Sequence, residues 1–289
     1  MENLKIKSQI LVESLPYIQK FHGKIVVIKF GGSTMKDKES EDSVIKDIVL
    51  MKLVGMKPVI VHGGGNDINT MLERLNIEPN FVEGLRVTDK KTIEVVEMVL
   101  AGKINKNLVN KIQLENAESV GISGKDCRTL MCKKNYANGK DIGYVGKVEK
   151  VNNHLLRSLI DNDIIPVVAP IGTDVEGNTY NINADTAASA IAASLKAEKL
   201  IYLTDVDGIY RNFDDKDSLI SKLTLESAQE LIKEDSISGG MIPKIQNCIE
   251  SLKNGIDNIH MINGNIEHCL LFEIFTDKGI GTMFTQDNT

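Results

Sequence analysis

Two glycine-rich turns, each closing a short apolar strand, offer the most reactive arrangement in the chain. The first follows Ile25-Val26-Val27-Ile28 and reads Lys29-Phe30-Gly31-Gly32-Ser33; the second follows Pro58-Val59-Ile60-Val61 and reads His62-Gly63-Gly64-Gly65-Asn66-Asp67. Glycine lets the backbone approach a ligand closely, and successive free N–H groups beside a helix start cradle an anion. Lys29 stands directly before Gly31-Gly32, where its ammonium can meet that same anion; without such glycines a strand-end lysine is ordinarily solvated. Phosphate chemistry at the rim of an α/β sheet is the expectation. Neither turn is a Walker A loop, and Gly63-Gly64-Gly65 lacks the later glycine of a dinucleotide fingerprint.

Other polar groups cluster at element ends. Asn181-Ile182-Asn183-Ala184-Asp185 precedes a small-residue helix. A helix cap accounts for one of these three polar side chains, not for all of them. Leu203-Thr204-Asp205-Val206-Asp207-Gly208 ends another apolar strand and suits a nucleotide pocket or an ordinary turn. Ser238-Gly239-Gly240-Met241-Ile242-Pro243-Lys244 is a third glycine turn, with a lysine entering the next helix. Arg86, in Gly84-Leu85-Arg86-Val87-Thr88, can hold a carboxylate through two parallel hydrogen bonds, or can simply be solvated.

The elements that carry these residues follow from apolar periodicity. Residues 8–21 read as a helix kinked at Pro16, packing on its own subunit or on another. Residues 41–54 form a helix stopped by Gly55, and a strand covers 59–61. Ile68, Met71, Leu72 and Leu75 mark one face of the next helix, with Asn66 or Asp67 as its cap. Strand, helix and strand at this spacing imply parallel strands with a right-handed crossover. Thr88-Asp89 caps a long helix reaching about Asn116, and 128–151 reads as hairpin structure turning at Asn138-Gly139. Helices over 154–161, 184–195, 225–233 and 241–253 then alternate with strands over 164–168, 199–204 and 258–262. The expected architecture is a mainly parallel open sheet covered by helices on both faces. Gly172-Thr173-Asp174 reads as a join between two lobes, with a ligand site between them at the carboxyl ends of the strands.

Size and composition are consistent with this. The 289 residues suffice for one large α/β domain or two joined lobes. The formal net charge of −6 argues against a general nucleic-acid binder, so local lysines and arginines must draw in any anionic substrate. No apolar run is long enough to span a bilayer, and the charged first ten residues lack a signal-peptide core, so a cytoplasmic protein is expected. Cys127, Cys132, Cys248 and Cys269 show no pairing or metal-ligand spacing; they read as free thiols, and no protein metal site is expected.

Taken in order, six segments resemble the amino acid kinase family over residues 23–284: Lys29 to Ser33, Val61 to Gly65, Gly84 to Asp89, Asn181 to Asp185, Leu203 to Gly208 and Gly240 to Lys244. The resemblance implies a three-layer αβα sandwich and, in the branch matched most fully, ATP-dependent phosphorylation of the γ-carboxylate of N-acetyl-L-glutamate in arginine synthesis. It implies that Lys29 and Lys244 stabilise the transferring phosphoryl group while Asp185 holds both lysines. Gly64 and Gly65 would bind substrate through backbone N–H groups, Arg86 would clamp its α-carboxylate, and Asn181 would hydrogen-bond it. Gly31, Gly32, Thr204, Asp205, Asp207, Gly208, Tyr210 and Gly240 would contact the nucleotide, whose phosphates carry Mg²⁺. A carboxylate is already a competent nucleophile, so positioning and electrostatics should supply nearly all of the catalysis.

Two end segments, Leu15 to Phe21 and His268 to Thr282, resemble the arginine-inhibited, hexameric branch. That resemblance implies a helix over 1–22 linking dimers into a trimer of dimers, a lobe over 23–173 for the acyl acceptor, and a lobe over 174–289 for ATP and arginine. Lys199, His260, Glu273 and Gly279 would form the arginine site, with Glu273 facing the guanidinium; otherwise Glu273 is an exposed residue on a strand. The segment His268-Cys269-Leu270-Leu271-Phe272 departs from the more usual leucine run. A kinase of carrier-linked aminoadipate is the nearest alternative. An aspartokinase is disfavoured because the chain has no room for appended regulatory domains. A non-catalytic arginine sensor would be expected to lack Lys29, Asp185 or Lys244, and a plain dinucleotide-binding subunit lacks its fingerprint here.

Overall fold

The structure, a computed structural model, describes residues 2–31, 38–212, 215–233, 241–276 and 279–286. Among these, eight strands join in one sheet in the order Lys222–Thr224, Thr282–Thr285, Asn258–Asn263, Lys199–Thr204, Ile25–Phe30, Lys57–His62, Ile165–Ala169, Ser119–Ser123. Neighbours pair in parallel, except Asn258–Asn263 with Thr282–Thr285. The central strands are apolar nearly throughout because helices cover both faces. Alternate residues serve opposite cores: Val26, Ile28 and Phe30 pack toward helix Lys38–Leu53, and Val27 packs toward helix Ala184–Leu195.

This alternation aims the chemistry. Lys29 shares the face of Val27 and therefore turns toward the helix that carries Asp185. Lys199 shares the face of Ile201 and turns to the other side. Strand Ile25–Phe30 has Lys57–His62 on one side and Lys199–Thr204 on the other, paired through Lys29 with Val61 and Tyr202. The strand order reverses there, which opens a crevice beyond the carboxyl ends of the strands.

A smaller ring of four strands, Leu130–Ala137, Lys140–Val151, Ile171–Thr173 and Thr179–Asn181, closes on itself beside the sheet. Its hairpin turns at Asn138 and Gly139, both with positive φ, as a two-residue turn requires. Gly172 and Thr173, read from sequence as a join, lie within a ring strand paired to Thr179–Asn181. Glycine is needed at 172 because a Cβ would fall 2.3 Å from Cys132 Sγ.

Several element boundaries depart from the sequence reading. The N-terminal segment is two helices, Glu2–Glu13 and Leu15–Phe21, with Pro16 in the first turn of the second, where a missing N–H costs no intrahelical bond. Helix Gly65–Arg74 starts at Gly65 with Gly64 as its cap residue, so Asn66 and Asp67 lie inside the helix; Asp67 instead pairs with Lys103 at 2.7 Å. Asp89 caps the long helix by accepting from the Thr92 N–H at 2.7 Å. That helix runs as Lys90–Glu97, a π-helical stretch Met98–Ile104, and Asn105–Leu114. Cys132, Cys248 and Cys269 are buried free thiols and Cys127 is exposed. Among the described residues no helix is long and apolar enough to cross a membrane.

Candidate active site

Lys29 and Lys244 line one cavity of about 240 Å³, together with Gly31, Asp185, Thr204 and Asp205. Lys29 leaves the end of its strand and places Nζ 3.0 Å from Asp185 Oδ1. This is a close charge contact rather than an aligned hydrogen bond, and both side chains are mostly buried. Asp185 is held by the helix start: Asn183 caps it, its side chain accepting from the Asp185 and Thr186 N–H groups. Lys244, in the first turn of helix Ile242–Lys253, donates to Asp205 Oδ1 at 3.0 Å. That bond holds the Asp205 carboxyl below its usual range, with the Lys29 charge adding to the effect. Two ammonium groups thus converge from strands and helices far apart in sequence, which is the field a migrating phosphoryl group needs.

A second cavity of about 200 Å³ is lined by Gly63, Gly64, Gly65, Arg86, Asn181 and Asn183, among others. A lining residue of each cavity touches the other where the glycine turns meet: a Cβ on Gly31 would lie 2.8 Å from Gly63 N. Gly65 has open space where its Cβ would be, so a ligand can approach its backbone closely. Arg86 is buried, stacks 4.7 Å over the Phe81 ring and donates through Nη2 to Gly65 O at 3.1 Å. Its Nη1 is buried without a partner among the described residues. A buried guanidinium donor left over beside a glycine turn fits an incoming carboxylate, because leaving it unpaired is costly. Asn181 Nδ2 lies 3.4 Å from Thr88 Oγ1, whose hydroxyl donates to Arg86 O, so Asn181 and Arg86 are held in one frame.

A third cluster lies across the sheet. Lys199 Nζ is 2.8 Å from His260 Nε2, and His260 Nδ1 is 2.5 Å from Glu273 Oε1. Glu273 Oε2 accepts from Ile280 N–H at 2.8 Å, and a Cβ on Gly279 would lie 2.6 Å from that oxygen. Lys199 also sits 5.1 Å above the Phe21 ring. All three polar side chains are buried. Burial pushes the Lys199 ammonium down to about 8 and lowers His260 against the pull of Glu273. Burial raises Glu273, but the hydrogen bond and charge of His260, the Ile280 N–H and the Lys199 charge together leave the carboxyl below its usual range.

The amino acid kinase family model matches residues 24–263. The chain belongs to the amino acid kinase family. Among its curated relatives is the acetylglutamate kinase of Caldanaerobacter subterraneus subsp. tengcongensis, 55% identical over 98% of this chain and 94% of the relative. The N-acetylglutamate synthase of Neisseria gonorrhoeae, solved with coenzyme A and N-acetyl-glutamate, superposes with a TM-score of 0.86 at 26% identity, covering 98% of this chain and 64% of that one. The same synthase solved with coenzyme A and L-arginine gives 0.82 at 25% identity, covering 97% and 65%.

For an amino acid kinase, the expected residues fall into place unevenly. Lys29, Lys244, Asp185, Gly31, Thr204 and Asp205 share the first cavity, and Gly64, Gly65, Arg86 and Asn181 share the second. Gly32 and Gly240 lie outside the described residues. Asp185 contacts Lys29 and not Lys244, which is paired instead with Asp205 in the same cavity. Asp207, Gly208 and Tyr210 are not among the residues lining the lysine cavity. Asp207 is engaged by Tyr210 Oη at 2.6 Å and Asn263 Nδ2 at 2.7 Å, and a Cβ on Gly208 would meet Thr282 Oγ1 at 2.5 Å, so these residues build the turn. Glu273 is not exposed on a strand but buried on helix Cys269–Phe275. Sequence reasoning overlooked Tyr202, Asn247 and Met261 in the first cavity. Tyr202 Oη lies 3.1 Å from Ser251 Oγ, which donates to Ser189 Oγ at 2.7 Å, joining the helix of Asp185 to that of Lys244. Its place two residues before Thr204, on the Val27 face, was the available signal.

Proposed function

We propose that this protein transfers the γ-phosphoryl group of ATP to the γ-carboxylate of N-acetyl-L-glutamate, yielding an acyl phosphate of arginine synthesis. Family membership implies ATP as the donor, and the curated relatives' name supplies the acceptor. The observation that carries the reading is the sharing of one cavity by Lys29 and Lys244, next to a second cavity with a spare Arg86 donor. The nucleotide phosphates enter the lysine cavity and bring Mg²⁺ with them, which neutralises part of their charge. The acceptor lies along Gly64 and Gly65, with Arg86 on its α-carboxylate and Asn181 beside it.

The chain's own groups then need to move no proton. A γ-carboxylate oxygen attacks the γ-phosphorus, the bond to the β,γ-bridging oxygen breaks, and ADP leaves with that electron pair. Lys29 and Lys244 stabilise charge on the equatorial oxygens, and their acidic partners keep both ammonium groups oriented. Most acceptor contacts come from residues 23–173, with Asn181 added from the second lobe, and most nucleotide contacts come from residues 174–289, with Lys29 and Gly31 added from the first.

Arginine is the feedback inhibitor in this reading. Glu273 suits its guanidinium, Lys199 suits its carboxylate, and both belong to the buried cluster with His260 and Gly279. Ile10, Leu11, Val12 and Leu15 are exposed on the N-terminal helices, which fits a second copy and a hexamer built as a trimer of dimers. A coupled assay with ATP and N-acetyl-L-glutamate, trapping the product with hydroxylamine, tests the reaction. Acyl hydroxamate formed from N-acetyl-L-glutamate supports it; turnover only with a carrier-linked aminoadipate overturns it.

A further inference from the structure

His62 stands between the end of strand Lys57–His62 and the glycine turn, and its imidazole is fully buried. Its Nδ1 lies 3.0 Å from Gly63 O, which can only accept, so Nδ1 carries the proton. Its Nε2 lies 3.2 Å from Asn105 Nδ2. The orientation of that amide is also determined, because Nδ2 faces Val167 O at 2.9 Å and Ile122 O at 3.3 Å, while Oδ1 faces the Lys106 ammonium at 3.2 Å. Nε2 is therefore the bare nitrogen, accepting from Asn105. This neutral tautomer sets no N–H against another, and the two Asn105 Nδ2 protons are shared among Val167 O, Ile122 O and His62 Nε2. Burial supports it by pushing the imidazole down to about 4.

The consequence follows from peptide geometry. Gly63 C=O and Gly64 N–H belong to one planar trans unit and point in opposite directions. With Gly63 O drawn inward to the buried ring, the Gly64 N–H is directed away from it, and both glycines line the Arg86 cavity. Gly64 is pressed from behind, since a Cβ there would lie 2.6 Å from Leu100 and 2.3 Å from Ile104, both in the π-helical stretch that leads directly into Asn105. The stretch that seats the glycine also delivers the amide that fixes the histidine. We infer that His62 and Asn105 form a positioning latch that sets the direction of the Gly64 N–H toward the acceptor or its transferring phosphoryl group. This rests on the proposed phosphoryl transfer, although the latch itself can be read without it.

The test compares His62→Asn, whose amide nitrogen replaces the Nδ1 donor, with His62→Leu, which removes it, and adds Asn105→Ala. Turnover in His62→Leu and Asn105→Ala is expected to fall by roughly 10-fold or more, as misplacing a positioned donor does. KM for ATP should be nearly unchanged, and His62→Asn should recover most of the loss even though all three variants lose thermal stability. Long-range ¹H–¹⁵N spectra of the wild-type imidazole at neutral pH should show a protonated Nδ1 and a bare Nε2, a readout independent of activity. A protonated Nε2, equal losses in His62→Asn and His62→Leu, or full turnover in His62→Leu would each overturn the latch. If His62→Leu does not fold, Asn105→Ala and the spectra still decide. Absence of acyl phosphate from the wild-type protein would instead overturn the reaction and leave the tautomer result standing.

Discussion

Each ammonium of the lysine cavity has its own carboxylate, and this arrangement sets what single substitutions should do. Lys29 is held by Asp185 and Lys244 by Asp205, so removing one lysine leaves the other in place. Lys29→Ala or Lys244→Ala should lower kcat by roughly 10²-fold, the cost of losing one preorganised charge donor. Hydroxamate assays at saturating substrates measure this, and wild-type turnover in either variant removes that residue from the mechanism. His62 makes a separate prediction about stability. Its folded pKa is depressed from 6.5 to about 4, so above pH 6.5 its full contribution to stability is present. As pH falls from 6.5 through about 4 the unfolded chain binds the extra proton and that stability is lost, about 3 kcal/mol in all. Denaturant unfolding across this range should show the decline in wild type and a shallower one in His62→Asn.

At the scale of elements, the glycine turn shows two different reasons for glycine. Gly64 is confined by Leu100 and Ile104 of the π-helical stretch, whereas Gly65 faces open space in the Arg86 cavity. Gly64→Ala should therefore cost about 1–3 kcal/mol through overpacking. Gly65→Ala should leave the melting temperature nearly unchanged and raise KM for the carboxylate substrate, because the new methyl group occupies substrate space. Thermal melts and steady-state kinetics on the pair separate the two roles; matching melts in both variants would show that the π-helical packing does not constrain Gly64. The π stretch itself is a single wide turn inside a long helix, a feature often found where a helix must meet a functional loop.

Across the whole molecule, one strand links the lysine cavity to the Lys199–His260–Glu273 cluster. Lys199–Thr204 begins with Lys199 on one face and ends at Thr204 and Asp205 in the lysine cavity, with Tyr202 on the opposite face from Lys199. Arginine bound at Glu273 would act on the same sheet that carries the nucleotide site. Millimolar arginine should inhibit the wild-type protein, and Glu273→Gln should need roughly 10-fold more, the loss of a charge-assisted pair. Dose–response curves beside the mass of the assembly in solution check this. Equal sensitivity in both proteins would remove Glu273 from the effector site and leave the catalytic reading untouched.

Local pattern carried much of this architecture. Alternation in Val26-Val27-Ile28-Lys29 already implied that Lys29 shares a face with Val27, and the bounds of helices His154–Asp161 and Ala184–Leu195 were legible from period and capping. The order of the motifs identified the family, and the glycine turns marked the rim where the two cavities lie. What neighbours in sequence could not reveal is which distant side chains meet. That Lys244 pairs with Asp205 rather than Asp185, and that Asp207 is bound by Asn263, depend on strand register and crossover. These contacts join residues 39 and 56 positions apart, and only the assembled sheet brings them within hydrogen-bonding range.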